Sequence, residues 1–138
     1  MIFLDTSAIY AMADQADPQH ERAKERFEAL LDMGERILTH NYVLVETMAL
    51  IQSRLGMTAA LKLAHDCRVF DIDWIDEATH GEAVRCLTES AKRRVSLVDQ
   101  VSFLVMRRRG VRTALAFDQD FEREGFQVFP GGKYTERG

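Results

Sequence analysis

Short apolar runs alternate with longer helical patterns along this chain, and this alternation restricts the fold more than any other feature. The apolar runs predict five short strands, at residues 2–4, 37–39, 69–72, 113–117 and 127–129. The stretches between them carry apolar residues at helical spacing, as Ala23, Phe27 and Leu30 do. Strands that alternate with helices are typical of an α/β domain with a mainly parallel sheet and helices on both faces.

The length of 138 residues is enough for one domain with its own hydrophobic core. A composition of 46% hydrophobic and 29% charged residues is ordinary for a globular protein, and it argues against a disordered chain. Because no linker or repeat interrupts the pattern, we assign residues 1–130 to a single domain. Residues 131–138 are polar and glycine-rich, and we expect them to form a mobile end.

The two cysteines are too few for a disulfide framework and lack the spacing of metal ligands. Cys67 and Cys86 lie in apolar stretches, which favours small buried thiols in a reducing compartment. The N-terminus does not read as a signal peptide, and no apolar stretch approaches the roughly 20 residues that a membrane span needs. These features predict a cytoplasmic protein with no membrane contact.

Four carboxylates are predicted to meet at one edge of the sheet. Asp5 ends the first strand, and Asp118 follows the fourth. Glu46 lies early in the helix after the second strand, and Asp99 lies in the first turn of the helix that leads back to the fourth. In right-handed βαβ units the carboxyl ends of the strands and the amino ends of the helices share one edge, where open α/β folds bind ligands.

The three aspartates also have a purely structural interpretation. Asp5 and Asp118 are placed to cap the helices that follow them, and Ser96 and Asp99 have the spacing of a capping box. Glu46 is harder to explain in this way, because it lies in a nearly all-apolar stretch with no Lys or Arg within a turn on its face. Capping and clustering both remain open for the aspartates.

Converging carboxylates repel one another, by about 1 kcal/mol in water and about 4 kcal/mol at an effective dielectric constant of 20 for a pair about 4 Å apart. Such a cluster needs protons, basic partners or a cation between its members. Oxygen ligands without Cys or His suit a hard divalent ion such as Mg²⁺ or Mn²⁺. A metal-activated water can attack a phosphodiester, so the residues predict metal-assisted phosphodiester hydrolysis.

The four acidic residues lie in four sequence blocks, namely FLDTS from residue 3, NYVLVET from residue 41, SLVDQVSF from residue 96 and AFDQDFE from residue 116. With these blocks in this order, the chain resembles the PIN-domain nucleases, and most of all the VapC-type ribonuclease toxins of bacterial toxin–antitoxin systems. The resemblance covers nearly the whole chain. It implies a three-layer α/β/α domain with a parallel five-stranded sheet and a pocket for Mg²⁺ or Mn²⁺.

Carried over position by position, the resemblance implies that the four acids bind the metal and catalyse the hydrolysis of RNA; they are Asp5, Glu46, Asp99 and Asp118. The hydroxyl groups of Thr6, Ser7 and Ser96 are expected to orient these ligands or the phosphate. The family also implies a structured RNA substrate such as tRNA or ribosomal RNA, a cognate antitoxin protein and a homodimer.

Basic residues form two clusters, although the formal net charge of −4 argues against binding of nucleic acid through bulk positive charge. Lys92, Arg93 and Arg94 precede the helix of Asp99 at the predicted catalytic edge. They are candidates for guiding an RNA backbone, with a plain surface loop as the alternative. Residues 107–109 and Arg112 surround the end of the same helix, where cations favour the helix dipole and stay solvated.

Three further residues near the predicted site have structural interpretations. We expect His40 to be structural, with contact to the substrate as the alternative, and Trp74 to belong to the core or an interface. Asp120 is expected to lie outside the metal ligands, where it assists Asp118, caps a helix or faces solvent. A catalytically silent PIN-like scaffold that binds RNA or protein is the alternative function, but such members usually lack one or more of the acids. The Asp5-Thr6-Ser7 sequence lacks the second Asp of haloacid-dehalogenase phosphatases, and the chain has no P-loop.

Overall fold

The computed structural model describes residues 1–90 and 94–131. The strands are β1 (Ile2–Leu4), β2 (Ile37–His40), β3 (Asp71–Asp73), β4 (Thr113–Leu115) and β5 (Gln127–Val128). The helices are α1 (Thr6–Ala13), α2 (His20–Asp32), α3 (Asn41–Leu55), α4 (Met57–Asp66), α5 (Glu77–Glu89), α6 (Leu97–Arg109) and α7 (Asp120–Arg123). All strand pairs are parallel, and the sheet has the order β3-β2-β1-β4-β5.

Helices cover both faces of the sheet because the chain adds strands first toward one edge of the sheet and then toward the other. The crossovers from β1 through β2 to β3 run one way, and those from β3 to β4 and β5 run the other way. Right-handed crossovers therefore place α1 to α4 on one face and α5 to α7 on the other. The helix contacts agree, since α3 packs on α1 and α4, and α5 packs on α6. The predicted three-layer α/β/α fold is confirmed.

The hydrophobic core lies between the sheet and these helices. Its largest side chains include Phe3 of β1, Phe103 of α6 and Phe121 of α7, all of which are fully buried. The ring of Phe121 contacts those of Phe3, Phe103 and Phe126, with centroid distances of 5.9, 5.2 and 6.4 Å. This aromatic cluster fixes the short helix that follows β4 against the centre of the sheet.

The strand order reverses between β1 and β4, which pair in the middle of the sheet. The amide of Asp5 extends this pairing by donating a 3.1 Å hydrogen bond to the carbonyl of Leu115. Beyond that bond the two chains diverge into α1 and into the loop before α7. A reversal of this kind opens a crevice at the carboxyl ends of the strands, which is where α/β sheets bind ligands.

The second and fifth strands differ from the sequence prediction by one residue, and the third and fourth differ by two residues at one end. The third begins at Asp71, because residues 67–69 form a 3₁₀ turn that leaves Val69 exposed. The fourth ends at Leu115, before the chain turns toward α7. The predicted mobile end falls outside the described residues from position 132 onward. Within the described ranges, no helix combines the length and apolar character needed to cross a membrane.

Candidate metal centre

Three aspartates converge at the crevice between β1 and β4. Asp5, Asp99 and Asp118 each offer a carboxylate oxygen, and these oxygens all lie within 4.8 Å of one another. Asp5 directly follows β1, Asp118 lies in the loop after β4, and Asp99 lies in the first turn of α6. The structure thus brings together three of the four predicted acids at the expected edge of the sheet.

The carboxylate of Asp5 is held by the residue two positions along the chain. Its Oδ2 accepts hydrogen bonds from the amide of Ser7 (3.2 Å) and from the Ser7 hydroxyl (2.7 Å). The Ser7 hydroxyl in turn accepts a 3.0 Å hydrogen bond from the amide of Phe117. Asp5 is therefore the N-cap of α1 and a member of the cluster at the same time.

The other two aspartates also take part in caps and turns. The Ser96 hydroxyl accepts a 3.1 Å hydrogen bond from the amide of Asp99 and so caps α6. One oxygen of Asp118 accepts a 3.0 Å hydrogen bond from the amide of Asp120. These local bonds orient the backbone of each aspartate and leave carboxylate oxygens directed into the cluster. Capping and clustering are therefore both present.

The protonation equilibria of the cluster are strongly perturbed. Burial, reinforced by the charge of Asp118, raises the pKa of Asp5 from its ordinary value of 3.8 to about 8. The same two causes raise the pKa of Asp99 to about 6. The pKa of Asp118 is also raised, mainly by burial. Without a cation, the three side chains lose their protons at higher pH than isolated carboxyl groups do.

No basic side chain neutralises these acids within residues 1–90 and 94–131. Asp5, Glu46, Asp99 and Asp118 form no ion pair with a lysine or arginine of that part. The hydroxyl of Thr6, next to Asp5, is buried and has no hydrogen-bond partner there. Three close carboxylates with no counter-charge fit a hard divalent cation such as Mg²⁺ or Mn²⁺.

Glu46 and Asp120 lie outside the group of three aspartates and affect it through their charge. Glu46 lies outside the group of oxygens within 4.8 Å, but its charge contributes to the raised pKa of Asp99. Asp120 contributes to the raised pKa of both Asp99 and Asp118, although it forms a 3.7 Å ion pair with Arg123. The sequence predicts that Asp120 lies outside the metal ligands. The Asp-x-Asp spacing of Asp118 and Asp120 was the signal that could have indicated its effect on these pKa values.

The two basic clusters differ in their contacts with the rest of the domain. Arg94 is exposed just before α6, with a left-handed φ of 53°, whereas Lys92 and Arg93 lie outside the described residues. The arginines at the end of α6 form ion pairs with acids of the fold: Arg107 with Glu124, Arg108 with Glu82, and Arg109 with Asp73. Three arginines of the second cluster are therefore paired with acids of the domain at its surface.

One arginine near the site was missed by the sequence analysis. The guanidinium of Arg26, on α2, lies 5.4 Å from the ring centroid of Phe117, the residue before Asp118. Sequence gave no signal for this contact, since α2 and the loop after β4 are far apart along the chain. It places a cation beside the loop that carries one of the three aspartates.

The chain belongs to the PIN-domain family, whose sequence profile matches residues 2–126. The 23S rRNA-specific endonuclease VapC20 of Mycobacterium tuberculosis (strain CDC 1551 / Oshkosh) is 34% identical over 128 residues, which cover 91% of this chain and 95% of that protein. Ribonuclease VapC26 of Mycobacterium tuberculosis (strain ATCC 25618 / H37Rv) is 24% identical over 136 residues, covering 97% and 98% of the two chains.

A solved structure agrees with these relatives. The crystal structure of Mycobacterium tuberculosis VapC20, described as a sarcin-ricin loop cleaving toxin, superposes with a TM-score of 0.82 at 33% sequence identity. The match covers 91% of this chain and 96% of that one. The resemblance to VapC-type PIN proteins, inferred from the four acidic blocks, is confirmed.

Proposed function

We propose that this protein is a divalent-metal-dependent endoribonuclease, acting as the toxin of a toxin–antitoxin pair. The observation that carries the proposal is the convergence of Asp5, Asp99 and Asp118 within 4.8 Å, with no basic residue of the described part to neutralise them. The similarity to proteins named as RNA endonucleases supports RNA as the substrate.

The three aspartates would hold Mg²⁺ or Mn²⁺, and Glu46 on α3 would add its negative charge to the same site. When bound, such an ion offsets the charge of the phosphate and lowers the pKa of a water that can attack phosphorus. Hydrolysis would form one bond between phosphorus and the water oxygen and break the bond between phosphorus and the 3′ oxygen. A proton from the water would pass to the leaving oxygen, so the products would be a 3′-hydroxyl and a 5′-phosphate. Ser7 keeps Asp5 oriented throughout, through its 2.7 Å hydrogen bond.

The substrate class follows from the relative with the higher identity. Because VapC20 is named as specific for 23S rRNA, we propose a structured loop of ribosomal RNA as the target of this chain. Arg94, together with Lys92 and Arg93, would guide the RNA backbone toward the acids. We further propose that the protein binds a cognate antitoxin, forms a homodimer and is located in the cytoplasm.

Cleavage of ribosomal RNA by the purified chain tests this function. We expect cutting at one or a few positions that requires Mg²⁺ or Mn²⁺, stops with EDTA and yields 5′-phosphate ends. Asp5→Asn and Asp99→Asn should each lower the rate on the order of 100-fold or more, the scale of losses at damaged metal sites. Asp32→Asn makes the same chemical change at an exposed position on α2 and should leave the rate unchanged.

Two outcomes would count against the proposal in different ways. Metal-dependent cutting that survives both Asp5→Asn and Asp99→Asn would show that the assigned residues are not the site. Tight binding of ribosomal RNA without any cutting, by protein freed of its antitoxin and loaded with Mn²⁺, would favour a silent scaffold.

A further inference from the structure

His40 connects the two helices that carry acids of the candidate site. It is the last residue of β2, it is fully buried, and its ring stacks on that of Phe3 with a centroid distance of 5.7 Å. Its Nδ1 accepts a 3.3 Å hydrogen bond from the amide of Val43 and so caps α3. Its Nε2 lies 2.8 Å from the hydroxyl of Ser102 on α6.

The donor and acceptor roles in this chain of bonds are determined. Because Nδ1 of His40 accepts from an amide, the ring proton lies on Nε2 and is donated to the Ser102 hydroxyl. Ser102 donates its own proton to the carbonyl of Val98, at 3.0 Å. Val98 precedes Asp99, so the chain of bonds runs from the first turn of α3 to the backbone beside a clustered carboxylate.

Both ring nitrogens are occupied, so His40 has no free atom for a substrate or a metal. Burial also lowers the pKa of His40 to about 3, which keeps the imidazole neutral and adds no charge to the site. A shorter N-cap side chain, such as that of Ser or Asp, accepts a hydrogen bond only from a backbone amide of the helix that it caps. The longer histidine reaches a second helix as well, and this second bond needs an explanation other than capping.

We propose that His40 is a positioning residue that fixes α3, with Glu46, relative to α6, with Asp99. The role rests on the proposed function, since it concerns the geometry of the same acids. The hydrogen bond to Ser102 sets the spacing of the two helices where their amino ends face the crevice. Loss of that bond lets the two carboxylates drift relative to Asp5 and weakens the binding of a divalent cation.

The test removes the His40–Ser102 bond from each end and measures Mn²⁺ binding to the full chain by calorimetry. His40→Asn keeps an oxygen that can cap α3 but is too short for Ser102, and Ser102→Ala removes the other partner. We expect each variant to bind Mn²⁺ about 10-fold more weakly, as for residues that orient metal ligands. The double variant should be no weaker than either single one, because both changes break the same bond.

Thr79→Val is the matched control. Thr79 is buried on α5, and its hydroxyl accepts a 2.5 Å hydrogen bond from Arg108, at the opposite end of α6 from Asp99. This variant should lose stability in urea as the others do, yet keep wild-type Mn²⁺ affinity. His40→Gln keeps an Nε donor for Ser102 while losing the cap, and it should recover most of the affinity.

Three results separate failure of this proposal from failure of the proposed function. If the wild type binds no Mn²⁺, the metal-dependent function itself is wrong. If the wild type binds Mn²⁺ and folded His40→Asn and Ser102→Ala bind it within twofold as well, His40 has no positioning role. The same conclusion follows if Thr79→Val weakens binding as much as they do, because the effect is then one of general stability.

Discussion

The hydroxyl of Ser7 bridges the carboxylate of Asp5 and the backbone of Phe117. It donates to Oδ2 of Asp5 over 2.7 Å and accepts from the amide of Phe117 over 3.0 Å. One small side chain therefore ties the residue after β1 to the loop after β4, which carries Asp118. This bridge adds to the local hydrogen bonds that orient the two clustered acids, Asp5 and Asp118.

Ser7→Ala should weaken both the metal site and the fold. The change removes a hydrogen bond to Asp5 and leaves the Phe117 amide without its partner, which costs about 1–3 kcal/mol in the free energy of unfolding. The affinity for Mn²⁺ should fall about 10-fold. Urea denaturation and calorimetric titration measure the two effects. Ser53→Ala, on an exposed position of α3, should change neither, and equal results for the two variants would refute the bridge's importance.

The buried aspartates should make the stability of the metal-free protein fall as the pH rises. The pKa values of Asp5 (about 8) and Asp99 (about 6) lie above the 3.8 of the unfolded chain, so the folded protein binds more protons between those values. Each extra proton lowers the free energy of unfolding by about 1.4 kcal/mol per pH unit as the pH increases. This stabilising contribution is fully present below about pH 4 and is lost above about pH 8.

Urea denaturation in EDTA at several pH values between 5 and 8 measures this slope. Asp5→Asn should flatten it, because the amide does not titrate in this interval. Added Mn²⁺ should stabilise the wild type more at high pH, where the cation no longer competes with protons. A wild-type slope that matches the slope of Asp5→Asn would contradict the assignment of the raised pKa to this cluster.

Phe121→Ala should be strongly destabilising, whereas Trp74→Ala should not be. Phe121 is fully buried in contact with three other phenylalanine rings, so its loss should cost about 3–5 kcal/mol in the free energy of unfolding. Trp74 is 71% exposed, so its replacement should change that energy by less than about 0.5 kcal/mol. Urea denaturation followed by circular dichroism gives both values. Similar losses for the two variants would argue against the packing described for Phe121.

Arg94→Gln should weaken RNA binding at low salt. In the inactive background of Asp99→Asn, the slope of log affinity against log salt concentration should decrease by about 0.7–0.9 for one lost phosphate contact. Arg68→Gln makes the same change at an exposed position before β3, at the opposite edge of the sheet, and should leave the slope unchanged. An equal decrease for both variants would indicate an effect of net charge only.

The order of strands and helices follows from the sequence because the three central strands, β1, β2 and β4, are buried, mostly apolar runs that alternate with helical patterns. The third strand begins two residues later than predicted because it contains both charged and apolar residues. Asp71 and Asp73 pair with Arg36 and Arg109 at 2.8 and 3.7 Å, and they belong to the outermost strand, where apolar residues are not required on both faces. Trp74 was expected in the core or an interface, and its exposed position just beyond this strand excludes the core.

The three clustered aspartates could be predicted because each occupies the end of a strand or the start of a helix, and such positions meet at one sheet edge. Glu46 lies further along its helix, so strand order alone does not give its distance from the others. The His40–Ser102 bond spans 62 residues, and nothing local in the sequence predicts it. Contacts between side chains of distant elements depend on how the helices cross, which periodicity does not encode.

The pairing of β1 with β4 also affects when the cluster can form during synthesis. The Ser7–Phe117 hydrogen bond joins residues 110 positions apart, and Phe3 faces Ala114 across the sheet. During translation, Asp5 is therefore synthesised long before β4, the strand that completes its surroundings. The cluster of Asp5, Asp99 and Asp118 therefore cannot assemble before residues 113–118 have been synthesised, late in the production of the chain.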